Sequence, residues 1–240
     1  KFERDNGLTY TADQIVVSTG AKQALINVIM SLIGPGDEVV IPAPYWVSYS
    51  EQVRLCGGTP VIVHASLEEE WKAPIARIAA AVNERTRLIM FSSPCNPSGS
   101  VLTQQELEEL AEVVRRHPGL YVIADEIYEH IVFDGTHRSF AALPGMMERT
   151  ITVNGLSKAF ALTGWRIGFL GAPLWIAQAV TKVQGQFTSG TNSIAQRVTK
   201  ACMEADPALL SGMRSDFLRR RDLVLNEIMY HPVEKLVFDA

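Results

Sequence analysis

The segment Gly155-Leu-Ser157-Lys158-Ala-Phe-Ala-Leu-Thr-Gly164-Trp-Arg166-Ile-Gly168 sets a single lysine among small and apolar residues. Runs that read as β-strands flank it on both sides, Thr150–Val153 before and Arg166–Leu170 after. A lysine that follows a strand so closely lies at the strand's carboxyl end. Little water reaches an amine in such surroundings, and desolvation favours its neutral, nucleophilic form.

The same alternation extends outward in both directions. Gln14–Ser18, Glu38–Ile41, Pro60–Val63, Arg87–Phe91 and Tyr121–Ala124 are short runs rich in aliphatic residues, several with helical patterns between them. The clearest helix spans Gln104–Arg116. Thr103 and Glu106 stand three apart as a capping box, and Leu107, Leu110, Ala111 and Val114 form one apolar stripe. Strands with near-continuous Val/Ile character between helices predict an α/β fold, a mostly parallel sheet with helices on both faces. Ligands in such folds gather outside the carboxyl ends of the strands.

From about Pro173 the pattern becomes all helical, with Trp175–Phe187, Ile194–Ala205 and a charged helix over Ala208–Tyr230. The expected division is a large domain over 1–205 and, over 206–240, a long helix leading toward another domain. The opening residues read as the end of a polar helix stopped by Gly7, and Val237-Phe-Asp-Ala240 as strand-like. With Lys1 in place of a methionine and no secretion signal at the start, both ends of a longer parent are expected to be missing.

Composition excludes several function classes. With 240 residues, 47% apolar and 20% charged, the chain can bury one substantial core. Its net charge of −4 comes with both signs interspersed, so it lacks the basic stripe expected of a nucleic-acid partner, and a small molecule is the expected ligand. Its apolar runs fall far short of the roughly 20 residues that span a bilayer, so no membrane segment is expected. Cys56, Cys95 and Cys202 are widely spaced without CxxC or Cys/His clustering, which argues against zinc, other metals and disulfides and for a reducing, cytoplasmic compartment.

Four more strand ends carry candidate chemistry. Val17-Ser-Thr-Gly20-Ala21-Lys22 runs from a strand into a helix whose first amides are free for a phosphate, or simply makes a tight turn. Ile41-Pro-Ala-Pro44-Tyr45-Trp46 is a stiff corner whose Trp46 could stack on a flat ring or serve the core or an interface. In Ser93-Pro94-Cys-Asn96-Pro97-Ser-Gly99, Asn96 is an amide donor or the start of a turn. In Val122-Ile-Ala-Asp125-Glu126-Ile-Tyr128, Asp125 closes an apolar strand. A carboxylate there either meets a cation or caps a helix in solvent.

Taken together and in order, these five segments resemble the class I and II aminotransferases, the aspartate aminotransferase family of fold-type I enzymes dependent on pyridoxal 5′-phosphate (PLP). The likeness covers nearly the whole chain and implies that residues 1–205 are the PLP-binding large domain, with 206–240 leading toward a small domain. In the family pattern Lys158 is the lysine that joins the cofactor covalently and moves the substrate's α-proton. Asp125 pairs with the ring nitrogen. Tyr128 and Asn96 hydrogen-bond the ring oxygen, and Trp46 stacks on the ring. Gly20, Ala21, Ser157 and Arg166 form the phosphate cup, and Lys22 counts among the cofactor contacts. Arg166 brings a forked donor geometry that lysine lacks. Lys22, Trp46 and Asn96 are also the expected substrate contacts.

The Gly-Ala-Lys variant resembles a subgroup in which this lysine holds the substrate's distal carboxylate, so aspartate and glutamate are the expected amino donors and a 2-oxo acid the acceptor. Prephenate or aromatic specificity, or a PLP-dependent β-carbon–sulfur lyase, are the alternatives within the fold; a non-catalytic PLP-fold binding domain is the alternative outside catalysis. The resemblance also implies a homodimer in amino-acid biosynthesis. The family's arginine for the substrate α-carboxylate falls beyond Ala240, and its N-terminal arm and cross-subunit tyrosine fall before Lys1.

Overall fold

The computed structural model describes residues 1–230. Seven strands form one sheet: β1 (Ile15–Ser18), β2 (Glu38–Pro42), β3 (Thr59–Val63), β4 (Thr86–Ser92), β5 (Tyr121–Asp125), β6 (Thr150–Gly155) and β7 (Gly168–Gly171). Their spatial order is β1-β7-β6-β5-β4-β2-β3. Every neighbouring pair is parallel except the two made by β7, which runs antiparallel to both β6 and β1. Seven α-helices accompany them: α1 (Ala21–Leu32), α2 (Ser48–Leu55), α3 (Ile75–Ala81), α4 (Gln104–Arg116), α5 (Leu174–Phe187), α6 (Ser193–Glu204) and α7 (Ser211–Tyr230).

The strand runs carry no polar alternation because both faces of the sheet are covered. Val39, Ile41, Leu88, Met90, Ile123 and Val153 turn to a core shared with α1, α2 and α5. Val40, Ile89, Phe91, Val122 and Ala124 turn to a second core shared with α3 and α4. At about 25 cal/mol per Å² of apolar surface removed from water, these two layers dominate the stabilisation. The capping box on α4 forms as expected: the Thr103 side chain accepts from the Glu106 amide and Glu106 from the Thr103 amide.

Two elements start two or three residues later than the sequence reading places them, each for a local reason. The strand expected from Arg166 starts only at Gly168, because Arg166 adopts a left-handed conformation with φ 52°. The helix expected from Ala208 starts at Ser211. Asp206 and Pro207 first set a short 3-10 turn over Pro207–Leu210, where the Asp206 side chain accepts from the Ala208 amide at 2.9 Å. The opening polar helix is one turn, Phe2–Asn6, stopped by Gly7 at φ 68°. The strand-like run at Val237–Ala240 lies outside the described residues.

The topology positions the site. Because β7 is antiparallel, its first residue lies at the same sheet edge as the last residues of the parallel strands. Gly168 pairs with Ser18 on one side and Gly155 on the other. A Cβ on Gly168 would lie 2.1 Å from the Ala21 backbone nitrogen, so only glycine lets the start of α1 sit against the strand.

Candidate active site

All five segments singled out in the sequence end at that one edge. They enclose a cleft of about 290 Å³ lined by Ala21, Lys22, Leu25, Trp46, Tyr49, Ser92, Asn96, Asp125, Ile127, Tyr128, Ser157, Lys158, Thr163 and Arg166. Nine of the ten expected site residues are in the lining. The tenth, Gly20, lies just behind it: a Cβ there would come within 2.5 Å of an Arg166 guanidinium nitrogen, and Gly20 itself has φ 86°.

Lys158 lies in the turn after β6 and is half-buried. Its Nζ is 5.3 Å from the centroid of the Tyr128 ring, which places the amine over an aromatic face. On the floor of the cleft, Asp125 ends β5 and is 4% exposed. Its Oδ2 accepts from the Tyr49 hydroxyl at 2.7 Å and its Oδ1 from the Ile127 amide at 3.3 Å. Burial outweighs these two donors and, with the neighbouring charge of Glu126, pushes the carboxyl up to about 6, against the downward pull of Lys158.

Opposite Asp125, the Trp46 ring meets the Tyr49 ring edge-on, with centroids 5.7 Å apart and planes at 87°. Lys22 is exposed at the start of α1, with its Nζ 4.7 Å from the Trp46 ring centroid. The amides of Ala21 and Lys22, which open α1 ahead of its first helical hydrogen bond, lie beside Arg166, whose Nη1 donates to the Thr163 carbonyl at 2.9 Å. Asn96 is half-buried after β4, and its backbone N–H donates to the Ser92 hydroxyl at 3.4 Å.

Sequence reasoning missed Tyr49. Its partner Asp125 is 76 positions away, and a tyrosine in the first turn of an ordinary amphipathic helix carries no local signal. Glu126, Glu129 and His137 bring one donor atom each within 4.8 Å of one another. Protein donors already serve both carboxylates: Ser139, the Phe140 amide and His137 for Glu126, and Lys1, Asn6 and Asn154 for Glu129. The cluster reads as an internal polar network.

The cleft fits a flat, anionic, cationic-ringed ligand of the kind PLP is. A buried carboxylate with too few donors waits at one end, two glycines leave room beside a helix start and an arginine at the other, and an aromatic wall and an amine lie between.

Comparison with known proteins gives a consistent result. The model of the family "Aminotransferase class I and II" matches residues 1–231. A Petunia hybrida protein named bifunctional aspartate aminotransferase and glutamate/aspartate-prephenate aminotransferase is 49% identical over 229 residues, covering 94% of this chain and 48% of its own length. A Cereibacter sphaeroides aspartate/prephenate aminotransferase is 46% identical, covering 94% of this chain and 57% of its own. The crystal structure of an aspartate aminotransferase from Rhizobium meliloti superimposes with a TM-score of 0.93 at 43% identity, over 95% of this chain and 58% of that one. The chain thus spans about half the length of the curated relatives it matches.

Proposed function

Because this chain belongs to the class I and II aminotransferase family, we propose that the protein carrying it is a PLP-dependent aminotransferase, moving an amino group between aspartate or glutamate and a 2-oxo acid. The observation that carries the reading is the convergence of Lys158, Asp125 and the start of α1 on one cleft. When bound, PLP supplies an electron-withdrawing ring that stabilises negative charge at the α-carbon of an attached amino acid.

The chain's own residues supply the rest. The Lys158 Nζ is the point of covalent attachment and then the general base and acid, taking the substrate's α-proton and returning it. Asp125 would face the nitrogen of the bound ring and favour a proton there. A cation at that point offsets the desolvation that pushes the carboxyl up to about 6. Tyr128 and Asn96, both in the cleft lining, would donate toward the ring oxygen, and Trp46 would cover a ring face. Arg166, Ser157 and the amides of Ala21 and Lys22 at the start of α1 would hold the phosphate, with Gly20 leaving room for the Arg166 guanidinium beside it. Lys22, exposed at the mouth above Trp46, receives the distal carboxylate of an acidic substrate.

Three further readings rest on the same resemblance. Residues 206–240 lead from the large domain toward a small one, as the exposure of Leu223, Val224 and Leu225 on α7 suits. The enzyme works as a homodimer, for which apolar side chains left exposed beside the cleft, such as Val47, are suited. Its compartment is the cytoplasm, where the free thiols of Cys56, Cys95 and Cys202 stay reduced. Among the described residues no helix is long and apolar enough to cross a membrane.

The test is a substrate panel on the full-length protein with added PLP. Oxaloacetate from aspartate and 2-oxoglutarate is the expected product. Transamination of prephenate with equal efficiency would move the assignment within the same subgroup. Pyruvate and ammonia from cystathionine, without transamination, would make the protein a β-carbon–sulfur lyase instead.

A further inference from the structure

We infer that Tyr49 is a positioning residue for both sides of the cleft: its hydroxyl keeps Asp125 charged toward the cofactor ring, and its ring holds Trp46 in place beneath Lys22. The inference rests on the aminotransferase reading and adds a residue that the family motifs in the sequence did not single out.

Tyr49 is 1% exposed and touches both walls. The hydroxyl donates to Asp125 Oδ2 at 2.7 Å, the shorter of the two donations that carboxylate receives. The Tyr49 and Trp46 rings pack nearly perpendicular, and Lys22 stands over Trp46 in turn. Asp125, Tyr49, Trp46 and Lys22 therefore form one contact chain from the cofactor side of the cleft to its mouth. Tyr49 can serve as a pure donor here. Burial and the Asp125 charge push its own pKa well above the usual phenol value, so the hydroxyl keeps its proton throughout the working range.

The charged groups around Asp125 are few. Glu126, next in the chain, disfavours its ionised form, and Lys158, from the turn after β6, favours it. On the Tyr49 side the neighbours are Ser92 and Cys95, contributed by β4 and the turn after it. Of these groups, Tyr49 is the one whose hydroxyl can be removed while the ring stays. Without that hydroxyl the carboxyl rises further above 6, so the loss of charge, and with it the weaker hold on a protonated ring, is greatest in mildly acidic solution. At alkaline pH the carboxyl is ionised with or without the hydroxyl.

The two roles separate by substitution. In the full-length protein, PLP affinity is measured by fluorescence at pH 6.0 and pH 8.5, and affinity for the dicarboxylate maleate is compared with that for a monocarboxylate of similar size. Tyr49→Phe keeps the ring. It should raise the PLP dissociation constant about tenfold or more at pH 6.0, as expected when a donor to a charged group is lost, and less than about threefold at pH 8.5, with the maleate preference unchanged. Tyr49→Leu removes the ring as well and should also lower the maleate preference, by about fivefold. Equal weakening of PLP binding by Tyr49→Phe at both pH values, or an intact maleate preference in Tyr49→Leu, would overturn the inference. A wild-type protein that takes up no PLP at all would overturn the function itself.

Discussion

Asp125 and Glu126 are consecutive carboxylates, 4% and 2% exposed, and they occupy opposite faces of the sheet. On one face Glu126 is fully engaged. Ser139 donates to it at 2.9 Å, the Phe140 amide at 3.1 Å and His137 Nε2 at 3.2 Å, which ties the loop after β5 to the second core. On the other face Asp125 has two donors and opens on the cleft. Equal burial therefore does not mean equal purpose. A carboxylate whose lone pairs are met by the protein fixes the structure, whereas one left under-donated beside a cavity is held for a cation that the protein itself does not supply.

Substitutions at the two positions should separate these purposes. The largest effect falls on turnover. Asp125→Ala should lower kcat by roughly a hundred- to a thousandfold, with a change of only a few-fold in KM for the amino donor, because the charge acts where negative charge develops on the reacting ligand. Glu126→Ala should instead strip three donors of their acceptor. The expected loss is about 3 kcal/mol of folding stability, read from the urea midpoint of the cofactor-free protein. If the two variants exchanged phenotypes, the contrast would collapse.

The pH dependence of stability sharpens the same contrast. The folded-state pKa of Asp125, about 6, lies above the ordinary aspartate value of 3.8, so this group binds protons more readily in the folded chain. Its contribution therefore turns unfavourable as pH rises from about 4 to about 6 and stays so above that, by at most about 3 kcal/mol. Asp125→Asn should thus stabilise the cofactor-free protein at pH 8 and hardly at all at pH 4, measured by thermal unfolding at both. Added PLP should close the gap at pH 8, since only the wild type gains a cation there. The smallest effect belongs to Lys22→Ala, which touches neither carboxylate. A loss of about tenfold in kcat/KM for aspartate, with none for an uncharged amino donor, is expected.

The difference between the two carboxylates also marks what the sequence could tell. The strand over Tyr121–Ala124 and the existence of all seven strands, with bounds to within two residues, were legible because apolar runs and the glycines and prolines that stop them are local signals. So was the cap on α4, and short segments resembling a family pattern pointed to ten residues of which nine line one cleft and Gly20 lies just behind it. The partners were not legible. Tyr49 reaches Asp125 and His137 reaches Glu126 because distant elements fold onto opposite faces of β5, and the spacing of 76 residues in the first case leaves no periodic trace. The left-handed turn at Arg166 was hidden as well, since a β-like run of residues gives no warning of a positive φ at a non-glycine position.

The central claim is that Lys158, rather than Lys22 in the same cleft, carries the cofactor. Reduction of the PLP-loaded full-length protein with borohydride, followed by proteolysis and mass mapping, tests it directly. The account predicts a phosphopyridoxyl group on the peptide containing Lys158 and its disappearance in Lys158→Ala. A label on Lys22, or a label that survives Lys158→Ala at full occupancy, would contradict it.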